Sequence, residues 1–485
     1  MLPSFSPAAT ASPPRPIPGS HGPPVLGPLR DRLDYFWFQS RDEFFSRRAA
    51  AHRSTVFRTN IPPTFPFFLG MDPRVVAVVD AAAFTALFDP ALVDKRDILI
   101  GPYNPGPGFT GGTRVGVFLD TEEPEHERTK AFTMDLLHRS ARTWAAEFRA
   151  GVDGMLDTVE ADLAKAKGDN PSASFIFPLQ QCIFRFLCKA LVGADPAADS
   201  LVDRFGYLIL DIWLALQIVP TQKIGVIQPL EELLIHSFPL PSFIISPGYN
   251  LLYRFVEKHG ADAVSLAEKE HGIAKKDAIN NVLFVLGFNA FGGFSVFLPS
   301  LISEIGQAGD PTGLRPRLRE EVRRVLDSRG GDADVGFSTV REMPLVRSTV
   351  REVLRLNPPV PLQFGRARKD FVLRSHGGAF SVSKGEVLCG YQPLAMRDPE
   401  VFDRSEEFVP DRFLGEKGEA LLQYLYWSNG PETAQPAPRN KQCAAKEAVV
   451  DTACMLIAEL FRRYDDFEAD GTSFTKLEKR PPSTS

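Results

Sequence analysis

The chain has 485 residues and a net charge of −5, with charged and hydrophobic residues in ordinary globular proportions. Because there is no basic excess, nucleic acid is not expected as a partner. The five cysteines are scattered, with no C-x-x-C pair and no histidine–cysteine cluster at zinc spacing. We therefore expect neither a disulfide scaffold nor a zinc site, and the cysteine usage fits a reducing compartment.

The first 30 residues are rich in proline, serine and alanine and contain no acidic residue. They also lack the apolar stretch of a secretory signal. We predict that residues 1–25 form a disordered or short targeting segment. Residues 26–485 are predicted to form a single domain, because helical patterns follow one another there without a linker.

Helical periodicity dominates this region, and strand-like segments are fewer and clustered. Helices are predicted over residues 124–137, 141–167, 179–192, 203–217, 277–303, 314–327, 339–355 and 444–464. Strands are predicted at 55–61, at 74–80 and within 371–391. The pattern indicates a mainly α, α+β protein with one large helical region and a small β-rich region.

Residues 282–302 carry no charge and by length could cross a bilayer. Asn289, the Gly292–Gly293 pair and Pro299 interrupt the segment, which favours a buried core helix over a membrane span. Its phenylalanines recur at helical spacing, so they either pack in a core or line an apolar pocket. They are Phe284, Phe288, Phe291, Phe294 and Phe297.

Cys443 ends a proline-rich loop and precedes an apolar helix. A cysteine in this position is either a buried packing residue or a thiolate stabilised by the amides of the helix end. The second possibility is the one that a thiolate metal ligand requires.

Glu352 and Arg355 form an E-x-x-R pattern, and residues three apart on a helix share one face. The pattern is followed in order by N-P-P-V-P, by P-D-R-F at residues 410–413 and by the Cys443 loop. This ordered set resembles the cytochrome P450 family. The resemblance implies the cytochrome P450 fold, haem b ligated by the Cys443 thiolate, and a structural triad of Glu352, Arg355 and Arg412.

The same resemblance suggests which residues contact the haem propionates. The segment P-E-H-E-R-T-K resembles an early helix that reaches them, here through His126 and Lys130. Arg366 or Arg368 and Lys441 are implied as further propionate partners.

Two departures from the common family pattern indicate a particular branch. The cysteine loop is longer than usual, and the central segment lacks the acid–alcohol pair that delivers protons to dioxygen, since residues 282–302 contain no Asp, Glu or Thr. Both features resemble the plant enzymes that act on fatty acid hydroperoxides. The segments G-T-R-V-G-V-F-L-D and F-N-A-F-G-G-F most resemble 13-hydroperoxide lyases of grasses.

The resemblance implies a lyase that cleaves the 13-hydroperoxide of linolenic or linoleic acid in oxylipin biosynthesis, without NADPH, flavin, dioxygen or a reductase. Asn289 and Cys443 are implied as catalytic residues, and Phe288, Phe291 and Gly292 as pocket residues. An allene oxide synthase and an ordinary monooxygenase are alternatives of the same fold. A non-catalytic, lipid-associated haem protein is an alternative of another class.

The family also suggests a chloroplast location at the envelope or thylakoid, without a transmembrane anchor. The apolar segment 236–253 is then either a peripheral membrane contact or a buried part of the substrate entrance.

Overall fold

The computed structural model describes residues 13–64, 70–101, 103–168, 170–225, 227–330 and 335–481. In this part the chain is mainly helical with three small sheets, which confirms the predicted fold class. The α-helices are α1 (Leu26–Leu33), α2 (Arg41–His52), α3 (Ala81–Phe84), α4 (Pro124–Lys165), α5 (Ile176–Leu187), α6 (Ser200–Ile218), α7 (Gln228–Leu234), α8 (Ser246–His259), α9 (Ala261–His271), α10 (Lys275–Phe284), α11 (Gly292–Ile305), α12 (Leu314–Ser328), α13 (Phe337–Val340), α14 (Pro344–Leu356), α15 (Gln392–Ala395), α16 (Gly415–Leu421) and α17 (Lys446–Arg463).

The strands fall into three sheets. They are β1 (Val56–Asn60), β2 (Arg74–Val78), β3 (Val93–Asp94), β4 (Ala173–Ser174), β5 (Leu362–Ala367), β6 (Phe371–Ser375), β7 (Gly378–Val382), β8 (Val387–Tyr391), β9 (Tyr464–Asp470) and β10 (Ser473–Lys479). The largest sheet has the order β1-β2-β8-β5-β3, with β2 and β8 parallel. Strands β4, β10 and β9 form a second sheet, and β6 and β7 form a hairpin.

Local sequence signals explain several helix ends. The Ser40 hydroxyl accepts a hydrogen bond from the Glu43 amide while the Glu43 carboxylate accepts one from the Ser40 amide, so a capping box starts α2. Pro124 and Pro344 stand at the first positions of α4 and α14, where a helix does not need the missing N–H group.

Two predicted boundaries were wrong. The separate helices predicted before and after residues 138–140 are one continuous helix, α4, because the intervening residues include no glycine or proline and the Ser140 hydroxyl donates to Leu137 O within the helix. Conversely, the helix predicted over 339–355 is divided into α13 and α14. Met343 precedes Pro344, and a residue before proline is driven out of helical conformation.

Residues 275–305 form one long helix in which α10 and α11 are joined by a π-helical segment, Val285–Phe291. By length and composition this helix could cross a membrane. It is surrounded, however, by α5, α6, α14 and α17. These contacts favour the core-helix interpretation, and we call it the central helix.

Residues 1–12 of the predicted disordered or targeting segment lie outside the described residues. Residues 13–25 run along two strands. The Arg15 amide donates to Ala379 O at 3.0 Å and the Arg58 amide donates to Pro18 O at 2.9 Å. This part of the segment is therefore attached to the β-rich region.

Candidate active site

Hydrogen bonds within the loop before α17 hold Cys443 in place. The Cys443 amide donates to Ser428 O at 2.8 Å, and the Asn429 side-chain amide donates to Lys441 O at 2.8 Å. The buried Lys446 ammonium group at the start of α17 donates to Ala434 O at 2.7 Å. Of the five cysteines, Cys443 is the one that is only half-buried. These hydrogen bonds fix the position of its backbone at the start of α17.

The pKa of the Cys443 thiol depends on both burial and the groups around it. The thiolate interpretation of Cys443 relied on helix-end amides, which lower the pKa of a thiol. Burial instead raises the pKa of Cys443, and the opposing effects of Lys130 and of the Ala445 amide do not reverse this direction. A bound metal ion deprotonates a coordinating thiol outright, so the thiolate form depends on the metal.

A group of half-buried cations lies around the cysteine loop. Lys130 donates a hydrogen bond to Gln442 O. The Lys441 ammonium group donates to the carbonyl oxygens of Gly116 and Val117 at 3.1 and 3.2 Å. The Lys95 ammonium group donates to the Asn429 side-chain oxygen at 2.6 Å. Lys95 was not identified from the sequence, because a lysine after a short strand carries no distinctive spacing.

These cations lack anionic partners in the described residues: none of Lys95, Lys130 and Lys441 forms an ion pair there. Burial lowers the pKa of Lys95 to about 7. Burial and the neighbouring Lys95 and Lys130 likewise lower the pKa of Lys441 to about 7. Each lysine would regain its ordinary pKa beside a carboxylate.

His126 belongs to the same group. Its ring is buried and its Nδ1 atom has no hydrogen-bond partner. Burial together with Lys441 and Lys130 lowers its pKa to about 4, so the ring is neutral at physiological pH. An unpartnered ring nitrogen and three uncompensated ammonium groups fit the two propionate carboxylates of haem b. The residues present therefore fit a haem beside Cys443.

The structure places Arg366 and Arg368 differently. Arg368 donates to the Asp120 carboxylate at 2.5 Å and pairs with Glu122 at 3.0 Å. The Arg366 guanidinium lies 3.4 Å from the Asp94 carboxylate. Both arginines thus have carboxylate partners within the protein, unlike the three lysines.

Glu352, Arg355 and Arg412 are brought together in the interior. Arg355 donates to both carboxylate oxygens of Glu352 at 2.8 Å, and the Arg412 Nε donates to the same carboxylate at 3.0 Å. Arg355 also donates to Met396 O and Ser405 O. The triad therefore anchors the irregular segment that leads to the cysteine loop.

The central helix presents one accessible stripe. Asn289 and Val296 are exposed, and Val285 and Gly293, at intervals of three or four residues from them, are half-buried. Phe288, Ala290 and Ser295 beside the stripe are also half-buried, and the other residues of 282–298 are buried. A Cβ atom added at Gly293 would meet no atom within 4 Å. An open space therefore adjoins this side of the helix, and Asn289 is the polar side chain at the middle of the stripe.

The predicted pocket residues have different positions. Phe288 is half-buried and stacks on Phe284, with ring centroids 4.9 Å apart. Phe291 is fully buried in the core. A Cβ atom at Gly292 would lie 2.8 Å from a methyl carbon of Leu214, so this glycine allows α6 to approach the central helix.

Comparison with known proteins agrees with this geometry. Residues 313–431 match the family model of cytochrome P450. The chain is 54% identical over 466 residues to linolenate hydroperoxide lyase, chloroplastic, from Arabidopsis thaliana, covering 96% of this chain and 93% of that protein. It is 47% identical over 478 residues to fatty acid hydroperoxide lyase, chloroplastic, from Solanum lycopersicum, covering 98% of this chain and 99% of that protein.

Similarity to a second group of enzymes is lower. The chain is 42% identical over 465 residues to allene oxide synthase, chloroplastic, from Linum usitatissimum, covering 96% of this chain and 84% of that protein. The chain therefore belongs to the cytochrome P450 family, whose cofactor is haem iron. Within that family it falls in the branch that contains hydroperoxide lyases and allene oxide synthases, which confirms the resemblance seen in the sequence.

Proposed function

We propose that this protein is a chloroplast fatty acid hydroperoxide lyase. The substrate is the 13-hydroperoxide of linolenic or linoleic acid, and the products are a six-carbon aldehyde and a twelve-carbon oxo-acid. The observation that carries the proposal is the accessible stripe of the central helix, which combines Asn289 with apolar residues and has no acidic side chain. The greater identity to lyases than to allene oxide synthases supports the same assignment.

The residues around the site would divide the work of holding the cofactor. The Cys443 thiolate would ligate the iron, while Lys95, Lys130, Lys441 and His126 would hold the propionates. When bound, the haem supplies the cleavage of the O–O bond. We propose that residues 26–485 act as one haem-binding unit.

The protein side chains bind and orient the hydroperoxide. The Asn289 amide would donate a hydrogen bond to a peroxide oxygen and fix its position. The apolar neighbours on the stripe would exclude water, and the stripe offers no carboxylate or threonine hydroxyl to relay protons. The site therefore suits a substrate that already carries an O–O bond better than it suits the reduction of dioxygen.

The proposed reaction needs no second substrate. Isomerisation of the hydroperoxide gives a hemiacetal with the same atoms, and this hemiacetal divides into the aldehyde and the oxo-acid. Because the hemiacetal is an isomer of the hydroperoxide, the reaction consumes no external electrons. We therefore propose that neither NADPH, flavin nor a reductase takes part. Peripheral association with the chloroplast envelope or thylakoid membrane is also part of the proposal.

Product analysis of the haem-loaded protein tests the function. The protein would receive linolenic acid 13-hydroperoxide without a reductant, and products would be identified by mass spectrometry. We expect the six-carbon aldehyde and the twelve-carbon oxo-acid. Ketols would instead indicate an allene oxide synthase, and absence of turnover by haem-loaded protein would favour a non-catalytic role.

A Cys443→Ala variant tests the ligand. We expect the absorption spectrum of a thiolate-ligated haem to disappear in this variant. A matched Cys454→Ala variant, which removes a buried thiol from α17, should keep that spectrum. A thiolate spectrum that survives in Cys443→Ala would disprove the assignment.

A further inference from the structure

Glu432 is a buried carboxylate in the loop that leads to Cys443, and it is only 5% exposed. One of its carboxylate oxygens, Oε2, accepts a hydrogen bond from the Trp427 indole N–H at 3.1 Å. The other oxygen, Oε1, accepts no hydrogen bond within the described residues and lies 3.7 Å from Arg351 Nε. Burial of an incompletely paired carboxylate costs free energy, so packing alone does not explain this residue.

Hydrogen bonds connect Glu432 to the neighbours of Cys443. The side chain of Lys446 is fully buried, and its ammonium group donates to Glu432 O at 2.5 Å. The Lys446 backbone amide donates to Cys443 O at 3.2 Å. The Gln442 side-chain amide donates to Pro431 O at 2.8 Å, on the residue before Glu432. Residues on both sides of the cysteine therefore hold the segment that carries the carboxylate.

The charge of Glu432 reaches the sulfur atom of Cys443. Burial is the main cause of the raised pKa of the Cys443 thiol, and the Glu432 carboxylate acts in the same direction. Burial also raises the pKa of Glu432, whereas Arg351 and Lys446 oppose this shift. Because a guanidinium and an ammonium group lie beside it, we expect Glu432 to be ionised at neutral pH. It is then a fixed negative charge that water and salt screen only weakly.

From this arrangement we propose that Glu432 acts on the haem through the Cys443 thiolate and favours the ferric state of the iron. One-electron reduction adds negative charge at the iron, and a buried carboxylate near its ligand opposes that addition. The proposed reaction consumes no external electrons, so a charge that disfavours reduction protects the enzyme from cellular reductants without slowing it. Glu432 acts through another residue and is therefore a positioning residue. The inference rests on the haem ligand named in the proposed function.

Potentiometric titration of the full, haem-loaded chain without substrate tests the inference. Glu432→Gln keeps the shape of the side chain and removes its charge. We expect the one-electron reduction equilibrium to shift about tenfold toward the ferrous form, a rise of about 59 mV in the midpoint potential. Glu432→Asp keeps the charge and shortens the side chain, so its equilibrium should stay within about threefold of that of the unmodified protein.

Glu447→Gln is the matched control. It makes the same change of charge at the start of α17, and the Glu447 carboxylate also lies near the Lys446 ammonium group, at 3.5 Å. The Glu447 side chain is, however, 46% exposed. Because water screens an exposed carboxylate, we expect no measurable change in the midpoint potential. The absorption spectrum of each variant shows whether it has folded and bound haem.

Arg351→Gln provides a test of opposite sign. It removes the guanidinium beside Glu432 and leaves the carboxylate, so the equilibrium should shift toward the ferric form. An unchanged potential in Glu432→Gln, or an equal rise in Glu432→Asp, overturns the inference. If Glu432→Gln does not retain haem, an unchanged or raised potential in Arg351→Gln overturns it. A lyase and an allene oxide synthase should give the same potentials, so this test and the product analysis fail independently.

Discussion

Replacement of Glu352 by Gln should strongly destabilise the protein. The carboxylate is fully buried and accepts hydrogen bonds from two buried guanidinium groups, Arg355 and Arg412, and from the Val409 amide at 2.9 Å. Gln has the same shape but no charge, and its NH2 group would face the donors of both arginines. Breaking a buried charge pair in this way costs about 3–5 kcal/mol, a large part of the roughly 5–15 kcal/mol that stabilises a typical protein.

Urea unfolding provides the measurement. Tryptophan fluorescence and the haem absorption band would be followed together, because the triad holds the segment next to the cysteine loop. We expect both midpoints to fall to lower urea concentration in Glu352→Gln. The matched control is Glu125→Gln, which removes the exposed carboxylate paired with Arg128 and should cost less than about 1 kcal/mol. Equal midpoints for the two variants would refute the idea that the triad anchors the fold.

Three further outcomes are expected. Asn289→Ala should lower turnover, measured as product formed per haem, by about 100-fold while the haem content stays unchanged. Unchanged turnover would show that Asn289 takes no part in the reaction. Lys95→Ala should raise the rate of haem transfer to apomyoglobin by about tenfold, since one charge-assisted hydrogen bond to the haem is lost. Equal transfer rates for the variant and the unmodified protein would contradict the assignment of Lys95 to a propionate. The hydrogen bond to Asp398 raises the pKa of His376, so its contribution to stability is full below its unfolded pKa and is lost as the pH rises through its folded pKa. His376→Gln should therefore destabilise the protein more near pH 5.5 than near pH 8.5, by urea midpoint, and an equal loss at both would be inconsistent with this linkage.

The helices and the sequence motifs were predictable because they depend on local patterns. The apolar periodicity of α12 and α17 gave boundaries within two residues of the structure. The E-x-x-R pattern gave a pair on one helix face because three residues nearly complete a turn. Strands β9 and β10 were missed, since Y-D-D-F-E-A-D carries several charges and pairs only through its tertiary position.

The site was predictable in part. Cys443, Lys130, Lys441 and His126 were identified from motifs, and the structure places the three basic residues near the cysteine loop. The pKa direction of the thiol was not predictable, because it depends on how burial compares with the surrounding charges. Lys95 comes from a distant part of the chain and reaches the loop only through Asn429.

The outward orientation of Leu230, Leu233 and Leu234 of α7, whose Glu231 is buried, could not be predicted from the sequence. A helix with three leucines and two glutamates reads as an ordinary amphipathic helix, with the leucines inside. The Arg32 guanidinium and the Trp37 indole, which lie about 200 residues earlier, bind the Glu232 carboxylate, so this side of α7 faces inward and its leucines face outward. Pairing across such a separation has no local signal.

The half-buried cations around the cysteine loop also affect how much active protein a cell contains. A chain that folds without haem must partly bury Lys95 and Lys441 without a carboxylate beside them, so binding of the cofactor and completion of folding favour each other. Chains that have not acquired haem spend more time open and are the ones that proteases remove. We therefore expect the supply of haem, as much as the rate of translation, to set the abundance of this protein.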